Sequence, residues 1–225
     1  MRSILLAASA VAGLFGLTAP VLAQAPVAVV EEVKGKPAGI EFMDYVTPGK
    51  VIKLGPKDTI VLGYMKSCWR ETITGGTVVV GAEQSLVHLG KVDRAKVDCD
   101  GANQRLTSQE ARDSAAAVFR NMTPAQQAIT PARVTIYGLS PIVEVNGRGK
   151  LVIERLDKPG ERHDVMVRDK SLLRDRFYDF AKTEKALAPG GVYAASFGGH
   201  EIVFKVDPAA KLGATPVVGR LLRFE

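Results

Sequence analysis

The chain carries two cysteines, Cys68 and Cys99, and three histidines, His88, His163 and His200. These are the residue types from which thiolate nucleophiles, general bases and zinc sites are built. Two thiols without clustered histidines make a poor metal set, and an even cysteine count with nothing left over favours one bridge between Cys68 and Cys99. Closing a loop of about 32 residues stabilises a fold by roughly 3.7 kcal/mol on the chain-entropy argument. Each histidine is isolated by sequence and is expected at the surface or at a strand end. No Gly-x-Ser-x-Gly elbow supports a Ser/His/Asp arrangement. Asp98-Cys-Asp-Gly101 has the look of a calcium loop. Aligning Gly101 with the loop glycine, however, puts Lys96 and Thr107 at ligand positions, which cannot coordinate the ion. A turn beside a disulfide is expected there. No catalytic, metal or cofactor motif emerges, and no cofactor is expected.

Ser67-Cys-Trp-Arg70 resembles the cysteine neighbourhood of L,D-transpeptidases, which are envelope enzymes. That family places His and Gly just before the cysteine, where this chain has Met65-Lys66-Ser67. The resemblance implies a cysteine-dependent, peptidoglycan-modifying enzyme as the alternative to a bridged Cys68.

The N-terminus bears on this choice. Arg2 supplies a positive start, Ile4 to Leu17 form an apolar run of 14 residues, and Thr18 to Ala23 read as a small-residue cleavage region. The pattern is that of a secretory signal peptide cut between Ala23 and Gln24. The apolar run falls short of the ~20 residues that span a bilayer, so no transmembrane segment is expected in the mature chain. The expected compartment is periplasmic or extracellular, where disulfides persist.

Hydrophobic content of 46% and charged content of 24% are those of an ordinary folded protein. The net charge of +6 makes an anionic glycan or an envelope protein a plausible partner. The densest basic stretch, 148–176, interleaves its Lys and Arg with Asp and Glu, as solvated faces do, so no nucleic-acid footprint is expected.

The elements that must position these residues are mostly strands. Runs rich in β-branched residues at Val27–Val33, Ile40–Val46, Lys50–Leu54, Thr59–Met65, Cys68–Ile73, Thr77–Val80 and Ser85–Leu89 predict short, evenly spaced strands. Ile52-Lys-Leu-Gly55 recurs as Ile60-Val-Leu-Gly63. Thr74-Gly-Gly-Thr77 predicts a tight hairpin. The pattern points to a small barrel or jelly-roll. A capping box at Thr107-Ser-Gln-Glu110 and an apolar stripe from Ala111 to Met122 predict one helix, ended by Pro124 and Pro131. From Ala132 the chain reads β again at Arg133–Tyr137, Pro141–Val145, Lys150–Leu156, Asp164–Val167, Gly191–Phe197 and Glu201–Val206. Leu172 to Leu187 suits either a helix or a strand.

Two resemblances add to this reading. Leu187-Ala-Pro-Gly-Gly-Val-Tyr193 resembles the corner entering strand F of fibronectin type III and immunoglobulin-like sandwiches. There the Leu is buried, Pro-Gly turns, and the Tyr hydroxyl ties the corner to nearby backbone. Gly49, Asp58-Thr-Ile-Val-Leu-Gly63 and Val78-Val-Val-Gly81-Ala-Glu-Gln-Ser85 resemble the periplasmic FecR-type domain over about residues 44–85. That resemblance implies a β module used for protein contacts rather than chemistry. The expected organisation is a signal peptide over 1–23, a FecR-like β module over 24–105, a helix and linker over 106–131, and a β-sandwich-like module over 132–225. The expected function is non-enzymatic binding or scaffolding in the cell envelope.

Overall fold

The computed structural model describes residues 24–37, 39–101, 131–183, 185–214 and 216–224. The expected leader with Ala23, and the helix expected from the Thr107–Glu110 box, lie outside the described residues. Within them the protein is mainly β: strands form three sheets, and no helix reaches seven residues. None of the described helices is long and apolar enough to cross a membrane.

The first sheet is a curled half-barrel of six strands. These are β1 (Ala28–Lys34), β2 (Tyr45–Val46), β3 (Val51–Tyr64), β4 (Trp69–Val79), β5 (Leu86–His88) and β6 (Lys91–Lys96). The order is β2-β1-β3-β4, with β5 and β6 following one another along the far edge of β4. The expectation of evenly spaced short strands is corrected here. The runs at 50–54 and 59–65 are one bent strand, as are those at 68–73 and 77–80. Side-chain alternation explains why. Ile52, Leu54, Ile60, Leu62 and Tyr64 all point into one core, so the eight-residue echo repeats an inward-facing pair along a single strand. Between the copies, Gly55 to Asp58 bulge out. Asp58 fixes the bulge by accepting the Gly55 amide at 2.9 Å, a turn chemistry typical of aspartate.

The predicted hairpin at Thr74–Thr77 is also corrected. Gly75 and Gly76 lie inside β4 with φ of +66° and +79°. A Cβ on Gly76 would stand 2.3 Å from the His88 carbonyl and 2.6 Å from the Gly90 amide. The two glycines admit the Leu89-Gly90 turn against the strand, where any side chain would exclude it. Of the run at 40–46, only Tyr45–Val46 is strand, because Met43 donates its amide to Val30 O and Asp44 its amide to Glu41 O, a turn. β6 was not anticipated, since Lys91-Val-Asp-Arg-Ala-Lys96 offers one large apolar residue in six.

The remaining strands form two smaller sheets. One is ordered β10-β9-β13-β14-β7 and the other β11-β12-β8-β15. Their ranges are β7 (Val134–Gly138), β8 (Ile142–Glu144), β9 (Gly149–Arg155), β10 (Arg162–Val167), β11 (Leu172–Leu173), β12 (Phe177–Asp179), β13 (Val192–Phe197), β14 (His200–Lys211) and β15 (Leu221–Arg223). The ambiguous stretch from Leu172 is therefore strand, followed by a single 3₁₀ turn at Phe180–Lys182 that Asp179 caps through the Ala181 amide. One core joins the two sheets: Leu151, Ile153, Tyr193 and Phe204 of the first meet Val143, Tyr178 and Leu222 of the second. Fully burying a side chain of this size contributes about 1.5–3 kcal/mol. At the corner before β13, Leu187 is buried, Gly190 has φ +75°, and the Ala188 amide donates to the Tyr193 hydroxyl at 2.8 Å. That hydroxyl donates in turn to Glu161 at 2.7 Å.

A third core joins the half-barrel to the smaller sheets, with Val29, Met43 and Met65 packed on Ile142, Phe177, Val218 and Leu221. A buried carboxylate sits at this seam. Glu31 accepts the Val218 amide at 2.9 Å and Arg70 Nε at 2.7 Å. Gly63 opposite it leaves the carboxylate room, since a Cβ there would lie 2.5 Å from it. Further along, Arg174 bridges to Glu41 and Asp44.

Candidate functional site

β14 is where a cavity opens. Its parallel pairing with β7 runs in register to Val206–Ile136 and resumes only at Lys211–Gly138, so residues 207–210 leave the ladder. Pro208 has no amide to donate, and the Asp207 carboxylate takes the Ala209 amide at 2.7 Å, turning the chain outward. Beyond this bulge, Leu139 donates to Lys211 O at 3.0 Å and closes the gap. The result is a recess of about 300 Å³. Tyr137 and Gly138 of β7 form one side, Asp207 and Lys211 of β14 another, and Asp98, Gly213, Pro216, Gly219 and Arg220 the rest.

The two cysteines set the position of the Asp98 wall. Cys68 and Cys99 are bridged, with Cα atoms 5.6 Å apart. Cys68 precedes β4 and Cys99 follows β6, at the end of a ladder whose last rungs are Trp69–Lys96 and the Val97 amide on Cys68 O at 3.0 Å. The bridge therefore holds residues 97–101 against the half-barrel. From there Asp100 accepts the Thr135 amide of β7 at 2.7 Å. The Asp98 carbonyl rests on Gly219, where a Cβ would come within 2.5 Å of it.

Charge in the recess is uneven. The Tyr137 phenol is pushed up from its ordinary pKa by burial first, then by the negative fields of Asp100, Asp207 and Asp98. It stays protonated at neutral pH. Lys96 is engaged elsewhere, over the Trp69 ring at 4.3 Å and on Ser67 O. Lys211 is exposed on the rim. The Asp98 and Asp207 carboxylates, with the phenol oxygen able to accept, suit a polar ligand that presents a cationic group. Among its described lining residues are no cysteine and no histidine. Among the described residues no group of three His, Cys, Asp or Glu could hold a metal ion.

Arg220 borders the recess and is almost wholly buried. It donates to Asp179 Oδ1 at 2.7 Å and to Ser140 O at 2.8 Å. Its role is to tie β12, the Ser140 turn and the C-terminal loop together. A second hollow of about 310 Å³ lies beside Glu144, Asn146, His200 and Arg223, with the stacked Phe197 and Phe224 rings as its apolar side. Its carboxylate is already committed: Glu144 accepts from the Tyr45 hydroxyl at 2.8 Å, from Arg223 at 3.2 Å and from Arg176. Burial, and then the Glu144 charge, push the Tyr45 phenol up well above its ordinary range.

Cys68 and Cys99 are thus brought together, and Gln24 is an exposed residue ahead of β1. The three histidines are not gathered. His88 is exposed on β5, His200 is exposed at the β13–β14 turn, and His163 is half-buried on β10, edge-on to Phe180. Asp98-Cys-Asp-Gly101 is irregular chain beside the disulfide, with only Gly101 in a turn and packed on Lys66 O. Tyr137, Asp98, Asp207 and Arg220 lie up to 122 positions apart and share no motif, and Asp98 stood out only within the Asp98-Cys-Asp-Gly101 stretch. Asp207-Pro208 was the one local signal, a turn pair ending an apolar strand. Among protein families, curated proteins and solved structures, none matches this chain.

Proposed function

We propose that this chain is a non-enzymatic secreted or periplasmic binding or scaffolding protein of the cell envelope. Within that proposal, β1 to β6 are a FecR-like, barrel-like module over 24–105. β7 to β15 are a sandwich-like module over 132–225 that carries the immunoglobulin-like corner. The observation that carries the reading is the Tyr137 recess, a preformed hollow whose side chains can hold a polar group. Its carboxylates favour a partner that presents an amine or guanidinium, such as a basic segment of an envelope protein. An anionic glycan would instead meet the basic surface outside the recess. The Cys68–Cys99 bridge supports the same reading in two ways: it suits an oxidising compartment, and it occupies the sulfur that the Ser67–Arg70 enzyme alternative needs as a thiolate.

The test is titration of the ¹⁵N-labelled protein with a lysine-containing peptide amide and, separately, with soluble peptidoglycan fragments. The expected result is shifts confined to residues around Tyr137, Asp98 and Asp207, abolished in Asp98→Asn/Asp207→Asn. Turnover of the peptidoglycan fragments, with no peptide binding at the recess, would overturn the proposal.

A further inference from the structure

The end of the half-barrel remote from the disulfide has a composition that the recess does not explain. Leu89 stands there fully exposed, at 103% relative accessibility, and with φ +55°. A leucine in the left-handed region costs about 1–2 kcal/mol where Gly would cost almost nothing. The adjoining bulge exposes Pro56 and Lys57. The two turns meet at the Gly75–Gly76 step of β4, around one shallow hollow.

Lysines lie along the same end of the sheet, with Lys91 beside Leu89 at the hollow. The ladder places Lys34, Thr59, Thr74 and Lys91 in one row across four strands, and Lys53, Thr77 and His88 in the outward row beside it. Lys36 follows β1 at the same end, its amide on the Asp58 carboxylate. Of these lysines only Lys34 has an ion-pair partner among the described residues, Glu32. Asp58 faces inward onto the Gly55 and Lys36 amides, and the exposed Asp93 lies two pairs further along β6. Behind the basic row, the outward register pairs Val51, Val79 and Leu86, of which Val51 is 53% and Leu86 59% exposed.

We propose that this end docks on an anionic lipid surface, with Leu89 entering the headgroup layer and Lys36, Lys53, Lys57 and Lys91 meeting lipid phosphates. Charge alone would suit any polyanion. An exposed leucine at the same end as lysines that have no ion-pair partner among the described residues matches an interface in which an apolar layer lies just beneath anionic headgroups. This assignment is independent of the Tyr137 recess and adds a second surface to the molecule.

The test compares the full chain with Leu89→Gly and with Lys57→Glu/Lys91→Glu in sedimentation with phosphatidylcholine vesicles, with and without phosphatidylglycerol. All three proteins share residues 1–23, so differences among them report the tip alone. Leu89→Gly removes an exposed side chain at a positive φ, and its melting temperature should match or exceed wild type. Binding is expected only with phosphatidylglycerol, weakened by added salt. It should fall several-fold in Leu89→Gly and at least about tenfold in the double charge reversal. Three results would overturn the proposal. One is no preference for phosphatidylglycerol at low salt. Another is binding lost on charge reversal but unchanged in Leu89→Gly and equally strong to soluble polyphosphate, which would mark a polyanion site. The third is self-association without vesicles that Leu89→Gly abolishes, which would assign the face to a second copy of the chain.

Discussion

Replacing both cysteines by serine removes a constraint whose magnitude follows from the structure. The bridge spans a separation of 31 residues, which on the chain-entropy argument corresponds to roughly 3.7 kcal/mol. One feature reduces the observable loss. Cys68 has φ +53°, and a residue freed from that conformation recovers part of about 1–2 kcal/mol. The β4–β6 ladder already brings the two ends together in the folded state, so the bridge acts mainly on the unfolded chain. The expected net loss is about 2–4 kcal/mol, which for a chain of this size lowers Tm by about 5–15 °C. The assay is differential scanning calorimetry of oxidised wild type, reduced wild type and Cys68→Ser/Cys99→Ser. The last two traces should coincide. Hydrogen exchange should show lost protection at residues 97–101, where the bridge holds the wall of the recess. A Tm within about 2 °C of wild type would refute the reasoning, as would two free thiols found on labelling the denatured, unreduced protein. The enzyme alternative predicts the reverse pattern, in which Cys68→Ser abolishes turnover of a peptidoglycan substrate and leaves Tm intact.

Three further predictions concern the charges that hold the sheets together. Arg220→Met should cost about 3–4 kcal/mol in urea unfolding, because it strands the buried Asp179 carboxylate. Adding Asp179→Asn, which keeps an acceptor for the Ala181 amide, should recover more than half of that loss. Gly63→Ala should destabilise by about 2–4 kcal/mol, since its methyl group would displace the Glu31 carboxylate from Arg70 and the Val218 amide. Glu31→Ala/Gly63→Ala should then be no worse than Glu31→Ala alone. Asp157 is held down at about 2 by hydrogen bonds from Arg155, against the opposing effect of burial, with help from the Val192 amide. Its folded pKa lies below the unfolded value, so its stabilisation is complete above about pH 4 and is lost as pH falls through about 2. The Tm difference between wild type and Asp157→Asn should therefore be constant near pH 5 and vanish towards pH 2.

Much of the strand content was legible because side-chain alternation is a local property. Ile52, Leu54, Ile60 and Leu62 announce inward faces wherever the strand goes, and Leu187-Ala-Pro-Gly-Gly-Val-Tyr193 carries its turn chemistry within seven residues. Continuity between strands was not legible. Gly55-Pro56 and Gly75-Gly76 read as breaks, yet each lies inside one continuous strand, because a bulge on β3 and a close-packed turn against β4 require those residues. β6 escaped notice because an edge strand is held by its neighbour's backbone and does not need an apolar face of its own.

The sequence by itself determined the β class and the bridge between Cys68 and Cys99, since cysteine count and strand periodicity are readable without partners. Only the tertiary structure decided the rest. The register slip between β14 and β7 opens the recess. Cys99 places Asp98 beside Tyr137, and Glu31 finds Val218 across 187 positions. The curl of one sheet brings Pro56 of the β3 bulge and the Leu89 turn to one hollow beside Lys91. Each of these depends on which backbone groups pair across long separations, and that choice is made by the whole set of packed faces at once, so no stretch of the chain encodes it alone.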